Sequence, residues 1–214
     1  MTGKSIRILS GGGLAIGLLA ASYPLLWRRW CLTWGASGDE ASAALRGDEI
    51  VPRADLMTTR AIVINAPPER VWPWLVQMGS GRAGTYTYDW LENLFGLDMH
   101  SAEVILPQFL DLTEGHEFAF GPVTMRVAAL EPDHLLVTWV PEWNWVRIFL
   151  LVPDGRATRL VLRNRVAYLE GERWKRAITE PAGLVMESKM LRGIKARAES
   201  DRRQAWQSDW ADAS

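Results

Sequence analysis

Cysteine is almost missing from this 214-residue chain, where Cys31 stands alone. A single thiol excludes an internal disulfide framework and a zinc site built on cysteines. Histidine is also scarce: the three present show no metal-ligand spacing, so no metal is expected. Net charge is nearly absent at −1. That argues against nucleic acid as a partner, because phosphate binding needs a clear basic excess or stripe. No Gly-x-Ser-x-Gly elbow occurs, which leaves serine-hydrolase chemistry without support. The glycine-rich run Gly79–Gly84 lacks the Gly-Lys-Ser/Thr ending of a phosphate loop and the spacing of a dinucleotide fingerprint. It reads as a turn, and no cofactor is expected. Repeats and low-complexity tracts are missing as well.

What the chain does have is apolar bulk. Apolar residues make up 48% and charged ones 23%, the proportions of a globular protein. Its length suits one domain with an appendage. Tryptophan is unusually frequent at 12 residues, a side chain often placed where an apolar surface also needs a polar tip.

From Ile8 to Trp27 the sequence is uncharged and rich in Leu, Ala, Gly and Ile, with Lys4 and Arg7 before it and Arg28 and Arg29 after. As a helix this stretch reaches about 30 Å, the thickness of a hydrocarbon core. Trp27 and Trp30 beside the two arginines resemble an interfacial belt. The leading expectation is a single-pass anchor in the cell membrane, with the side of the soluble domain left open. A cleaved signal peptide, with small residues at Ala20 and Ser22, is a second reading, and a monotopic or buried helix a third. Cys31 beside such an anchor is either an acylation site or a bystander.

The rest of the chain divides into a polar, turn-rich linker or strap over residues 31–58, an ordered domain over 59–200 and a polar tail over 201–214. Thr59–Asn65 is strand-like in its β-branched residues. Pro67 and Pro68 open a short helix to about Met78, and a second short helix covers about Tyr88–Leu94. From Glu117 the period becomes two, with Val123, Met125 and Val127, then Leu160 and Leu162, alternating with polar residues. Such alternation predicts an antiparallel sheet with one covered face. A long helix starts near Pro181 and reaches at least Glu199. The order implies an α+β fold in which a curved antiparallel sheet wraps around that last helix and leaves a cavity between them.

One charge breaks the pattern. At about 100° per residue, Met190, Leu191, Ile194 and Ala198 share one arc of the last helix, and Glu187 falls near its middle. A carboxylate aimed at a sheet costs several kcal/mol, roughly, unless it is paired, hydrated or protonated. Glu187 is therefore either a polar anchor or general acid/base at a cavity wall, or half of a buried pair with an arginine. Asn164 is a companion on the inward face of its strand. Tyr86, Tyr88, Trp90 and His100 either line the cavity mouth or simply pack the second helix. Trp139, Trp143 and Trp145 around Pro141-Glu-Trp-Asn144 suit cross-strand aromatic pairing, or contact with ligand or bilayer.

The run Ala66-Pro-Pro-Glu-Arg-Val-Trp-Pro-Trp-Leu-Val-Gln-Met-Gly79 resembles the first strand–helix junction of the START-like superfamily, with its polyketide cyclase/dehydrase and lipid-transport members. Arg82, Gly84, Tyr86, Tyr88-Asp-Trp-Leu-Glu-Asn93 and His100-Ser101 resemble a bacterial branch of it, as does Met186–Glu199. Arg46 and His116 depart from that branch in two turns. The resemblance implies a helix-grip fold and a hydrophobic cavity for a lipid, isoprenoid or polyketide-like molecule, and it carries over no catalytic residue. The expected ligand contacts are Tyr86, Tyr88, Trp90, His100, Trp139, Asn164, Met186, Glu187 and Met190. Three functions follow: a membrane-tethered binder or carrier of an apolar small molecule; a cyclase/dehydratase-type enzyme with Glu187 as acid/base; or a scaffold that binds a membrane partner through its tryptophans.

Overall fold

The computed structural model describes residues 27–120 and 122–211. The apolar stretch expected to be an anchor lies outside these residues except for Trp27. Among the described residues no helix is long and apolar enough to cross a membrane.

The chain enters through a short helix α1 (Arg28–Leu32) and a second, α2 (Gly38–Ser42). A capping box starts α2: the Ser37 side chain takes the Glu40 N–H, and the Glu40 carboxylate takes the Ser37 N–H. Strand β1 (Leu56–Ile64) follows, then helices α3 (Pro68–Val76) and α4 (Asp89–Leu94). Pro68 opens α3 in the first turn, where a missing N–H costs nothing. Five strands then run in sequence: β2 (Glu117–Phe120), β3 (Val123–Glu131), β4 (Leu135–Val140), β5 (Trp145–Asp154) and β6 (Ala157–Val166). The order across the sheet is β1-β6-β5-β4-β3-β2, and every pair is antiparallel. Between β4 and β5 the chain turns at Asn144, whose φ of 44° lies in the left-handed region that asparagine tolerates.

Helix α5 (Arg176–Ala211) closes the fold, 36 residues long. It begins five residues before the expected start, because Pro181 sits on its exposed side and gives up only one intrahelical bond. Met190, Leu191, Ile194 and Ala198 are buried against Ile64, Leu136, Phe149, Leu151, Leu160 and Leu162 of the sheet, with Trp74 and Leu75 of α3 beside them. Each large apolar side chain buried there contributes about 1.5–3 kcal/mol. The curved sheet gripping a long C-terminal helix is the α+β arrangement that the element order implies and the helix-grip fold that the resemblance implies.

The sheet is covered on both faces, not on one. Residues 36–55 cross its outer face, where Val51 joins Ala129, Leu135, Val137, Val146 and Ile148 in a second apolar cluster. The polar residues that alternate along β6 are what hold this segment. Arg163, almost wholly buried, donates to the carbonyls of Glu40 and Ala43, each at 2.7 Å, and to the Asp48 carboxylate at 2.8 Å. Arg165 donates to the carbonyls of Val51 and Pro52. A segment without a strand ladder must find partners for its carbonyls elsewhere, and the guanidiniums supply them. Arg159 clasps Glu40 and holds its carboxyl down at about 2, from an ordinary 4.5. That depressed value means the clasp stabilises the fold above pH 4.5 and is lost as pH falls toward 2.

Replacing Arg163 by methionine keeps the length and removes the donors. It removes the closest cation from Asp48 and the donors from two carbonyls, and should cost about 3 kcal/mol in urea or guanidinium unfolding, near the low end for broken buried pairs because Asp48 keeps the Leu45 N–H, the more distant Arg165 and some contact with water.

Candidate functional site

Helix α5 meets the sheet closely from Glu187 to Ala198. Its first turns are held by two ion pairs. Arg28 of α1 receives the buried Glu180 carboxylate through Nε at 3.0 Å and Nη2 at 2.8 Å. Further along, Glu187 pairs with Arg60 of β1. Arg60 has no exposed side-chain surface, and its Nη2 also donates to the Cys31 carbonyl at 2.9 Å. Between these pins the helix carries Ala182, Gly183 and Met186, with Thr179 just before them, and these side chains leave the gap unfilled. A cleft of about 650 Å³ remains between them and the sheet. Leu56, Val166 and Trp145 form its apolar floor, and Trp143, Tyr168 and Leu169 its outer walls. Trp143 and Leu169 are exposed, so the space is an open cleft, not the enclosed cavity expected.

The floor is polar along one line. Arg147 of β5 and Asn164 of β6 are register partners on the face toward α5. The Trp145 indole N–H donates to Asn164 Oδ1 at 2.8 Å, and Arg147 Nε makes a longer contact of 3.4 Å with the same oxygen. The Arg147 guanidinium lies over the Trp145 ring, 4.4 Å from its centroid. Burial pushes its pKa down, while the charges of Glu187 and Glu92 oppose that shift. Arg147 also borders a second void of about 20 Å³, beside Thr138 and Phe149. That void has room for one water molecule.

The structure brings together three of the expected ligand contacts, Asn164, Met186 and Glu187, at the cleft. The others lie elsewhere. Tyr86, expected either at a cavity mouth or in ordinary packing, is buried under α5. Its hydroxyl accepts from Gln77 at 2.8 Å and donates to the Trp74 carbonyl at 3.0 Å. Burial pushes that phenol up to about 12, so it stays protonated and keeps its bond. A left-handed φ of 58° turns the Tyr86 ring inward. Helix α5 passes so close that a Cβ on Gly193 would meet Tyr86 Cβ and its carbonyl oxygen at 2.7 Å. Tyr88 is partly exposed beneath Lys189, and Trp90 is exposed. His100 is exposed beside Asp98, 3.2 Å away. Trp139 points to the outer face with its partner Val146, and Met190 belongs to the apolar core. Of the three tryptophans around the β4–β5 turn, Trp143 and Trp145 stack at 6.3 Å and Phe120 packs edge-on to both. Trp139 is outside this stack because it faces the opposite way.

Arg147, Thr58 and Arg60 are not singled out by the sequence. In Trp145–Val152 both alternating sets are largely apolar, so the period could not say which face Arg147 takes. Its register with Asn164 settles it. That register was not available from β5 alone.

Neither a family model nor a curated protein sequence matches the chain. Solved structures do resemble it. One, from Rhodobacter sphaeroides, is 17% identical with a TM-score of 0.47, covering 70% of this chain and 95% of its own. A Polyketide_cyc-like protein from Corynebacterium glutamicum is 17% identical with a TM-score of 0.43, over 72% of this chain and 96% of that one. A protein from Nitrosomonas europaea is 12% identical with a TM-score of 0.46, over 69% and 96%.

Glu187→Gln strands a fully buried guanidinium and should cost about 3 kcal/mol of stability. The double variant Arg60→Met with Glu187→Leu should recover much of that loss. Denaturant midpoints of the two variants, compared at a common slope, decide whether the pair is a structural pin.

Proposed function

We propose that this domain binds and carries an apolar small molecule in the cleft between the first half of α5 and the sheet. The observation that carries this reading is the cleft itself. Its volume of about 650 Å³ falls inside the roughly 300–1,000 Å³ range of small-molecule sites. Its walls are largely apolar, with a few polar groups converging on one line of the floor, the usual division of labour in such sites. A lipid, isoprenoid or polyketide-like body fits that description.

Glu187 does not serve this reading as a free acid. Its carboxylate is taken by Arg60, so the cyclase/dehydratase alternative loses the group it depended on. Glu187 instead helps keep the cleft open by fixing the distance between helix and sheet.

The carrier is tethered to the cell membrane by the uncharged stretch 8–27 in this proposal. Support comes from the length of that stretch and from Trp27 and Trp30, both about half exposed beside Arg28 and Arg29 where the described chain begins.

Native mass spectrometry of the full chain, released gently from membranes of its own host, should show a stoichiometric apolar adduct. Met186→Trp fills the cleft and should reduce that adduct at least about tenfold in a protein that still folds, since one indole occupies much of the space a ligand body needs. Equal clean apo masses for both would rule out the carrier reading. The full chain should also stay with the membrane pellet after alkaline carbonate washing, and its recovery in the wash would remove the tether.

A further inference from the structure

Four strands place four polar side chains in one register line across the inner face. Thr58 of β1 faces Asn164 of β6, Asn164 faces Arg147 of β5, and Arg147 faces Thr138 of β4. The rows on either side are apolar: Leu56, Val166, Trp145 and Val140 on one, and Leu162, Phe149 and Leu136 on the other, where only Arg60 breaks the pattern. A polar line of this kind inside an apolar face needs partners, because orphaned buried donors are costly.

The partners are largely missing within the protein. Thr58 Oγ1, Asn164 Nδ2 and Thr138 Oγ1 are all buried with no hydrogen-bond partner. Thr138 borders the small void with room for one water. Thr58 and Asn164, only 3% and 4% exposed, border the large cleft instead. The amide of Asn164 is held in one orientation, since the Trp145 N–H occupies its Oδ1 and leaves Nδ2 free. Arg147 stands beside them with no carboxylate within ion-pair distance among the described residues. The other charges on the cleft wall are disposed of: Glu187 is paired with Arg60, Glu172 with Lys175 at 2.6 Å, and Glu142 is in solvent at the rim. Arg147 is the one cation of the floor left without a counter-ion.

We propose that the ligand of this cleft is an apolar molecule ending in a single carboxylate, bound by Arg147, Asn164 and Thr58. Guanidinium N–H, amide N–H and hydroxyl all donate, and a carboxylate with two acceptor oxygens and one negative charge satisfies them together. One guanidinium with two neutral donors matches a monoanion better than a phosphate dianion. The apolar body then lies over Trp145 and along Met186 toward the open rim at Trp143 and Leu169. This inference rests on the reading that the cleft holds an apolar ligand, and it adds the chemistry of that ligand's polar end.

The test uses dansylaminoundecanoic acid and its methyl ester, titrated at pH 8 into the full chain in lipid nanodiscs and followed by energy transfer from tryptophan, with empty nanodiscs as reference. Charge-assisted hydrogen bonds predict that the wild type binds the acid at least about tenfold more tightly than the ester. Arg147→Met should bring that ratio to within about twofold, and Asn164→Leu and Thr58→Val should each reduce it. The wild-type ratio and Thr58→Val decide the question even where Arg147→Met fails to fold. Equal wild-type affinity for acid and ester overturns the carboxylate assignment and leaves the apolar site standing. Tenfold preference that survives Arg147→Met also overturns it. Binding of neither probe overturns this inference together with the reading beneath it.

Discussion

A guanidinium with no solvent contact sets the terms for the rest of this molecule. Arg60 projects from β1 into the space that α5 must cross, and a charge there persists only with a carboxylate and a carbonyl against it. Glu187 and Cys31 meet that demand. In doing so they fix where α5 stands relative to the sheet. Beyond Glu187 the helix drops onto leucines and phenylalanine. Before it, the helix is held by a second pair at Glu180 and stays clear of the floor. A buried ion pair is weak support for stability, since apolar residues of the same volume often do as well. As a spacer it has a use that apolar residues lack: hydrophobic contact would draw the helix down and close the cleft.

The outer face obeys the same logic with different consequences. Arg159, Arg163 and Arg165 point away from the core and would be an ordinary solvated stripe on an open sheet. Here the segment before β1 covers them, and their donors are spent on its carbonyls and on Asp48 and Glu40. Both faces are thereby occupied, but the inner one keeps a line of polar groups, Thr58, Asn164 and Thr138, with nothing to bind. The contrast separates the two arginine sets. Those on the outer face are fully engaged and structural, whereas Arg147 on the inner face is stacked on Trp145 and barely hydrogen-bonded.

Much of the fold was legible because burial leaves a period in the sequence. Alternation in 123–127 and 159–168 marked the strands, prolines marked the start of α3, and the apolar arc through Met190, Ile194 and Ala198 marked the gripped middle of α5. The site was legible only where a polar residue interrupted an otherwise clean pattern. Glu187 and Asn164 stood out for that reason, and both border the cleft. Tyr86, Trp90, His100 and Trp139 sat in segments without such a pattern. Their residue types suggested ligand contact, and nothing in the local sequence indicated which way they point. Arg147 was hidden by the opposite problem, since both faces of its strand are apolar.

By itself the sequence determined the element order, the apolar faces of α3, β6 and α5, and the misfit of a carboxylate on a helix otherwise suited to a core. Those are consequences of local spacing, and one strand or one helix is enough to express them. Tertiary structure decided the partner of that carboxylate, the covering of the second face and the line from Thr58 through Asn164 to Arg147. Each of these depends on which residues of distant strands are brought into register, a pairing over as many as 106 residues between Thr58 and Asn164, and no period within a strand encodes it.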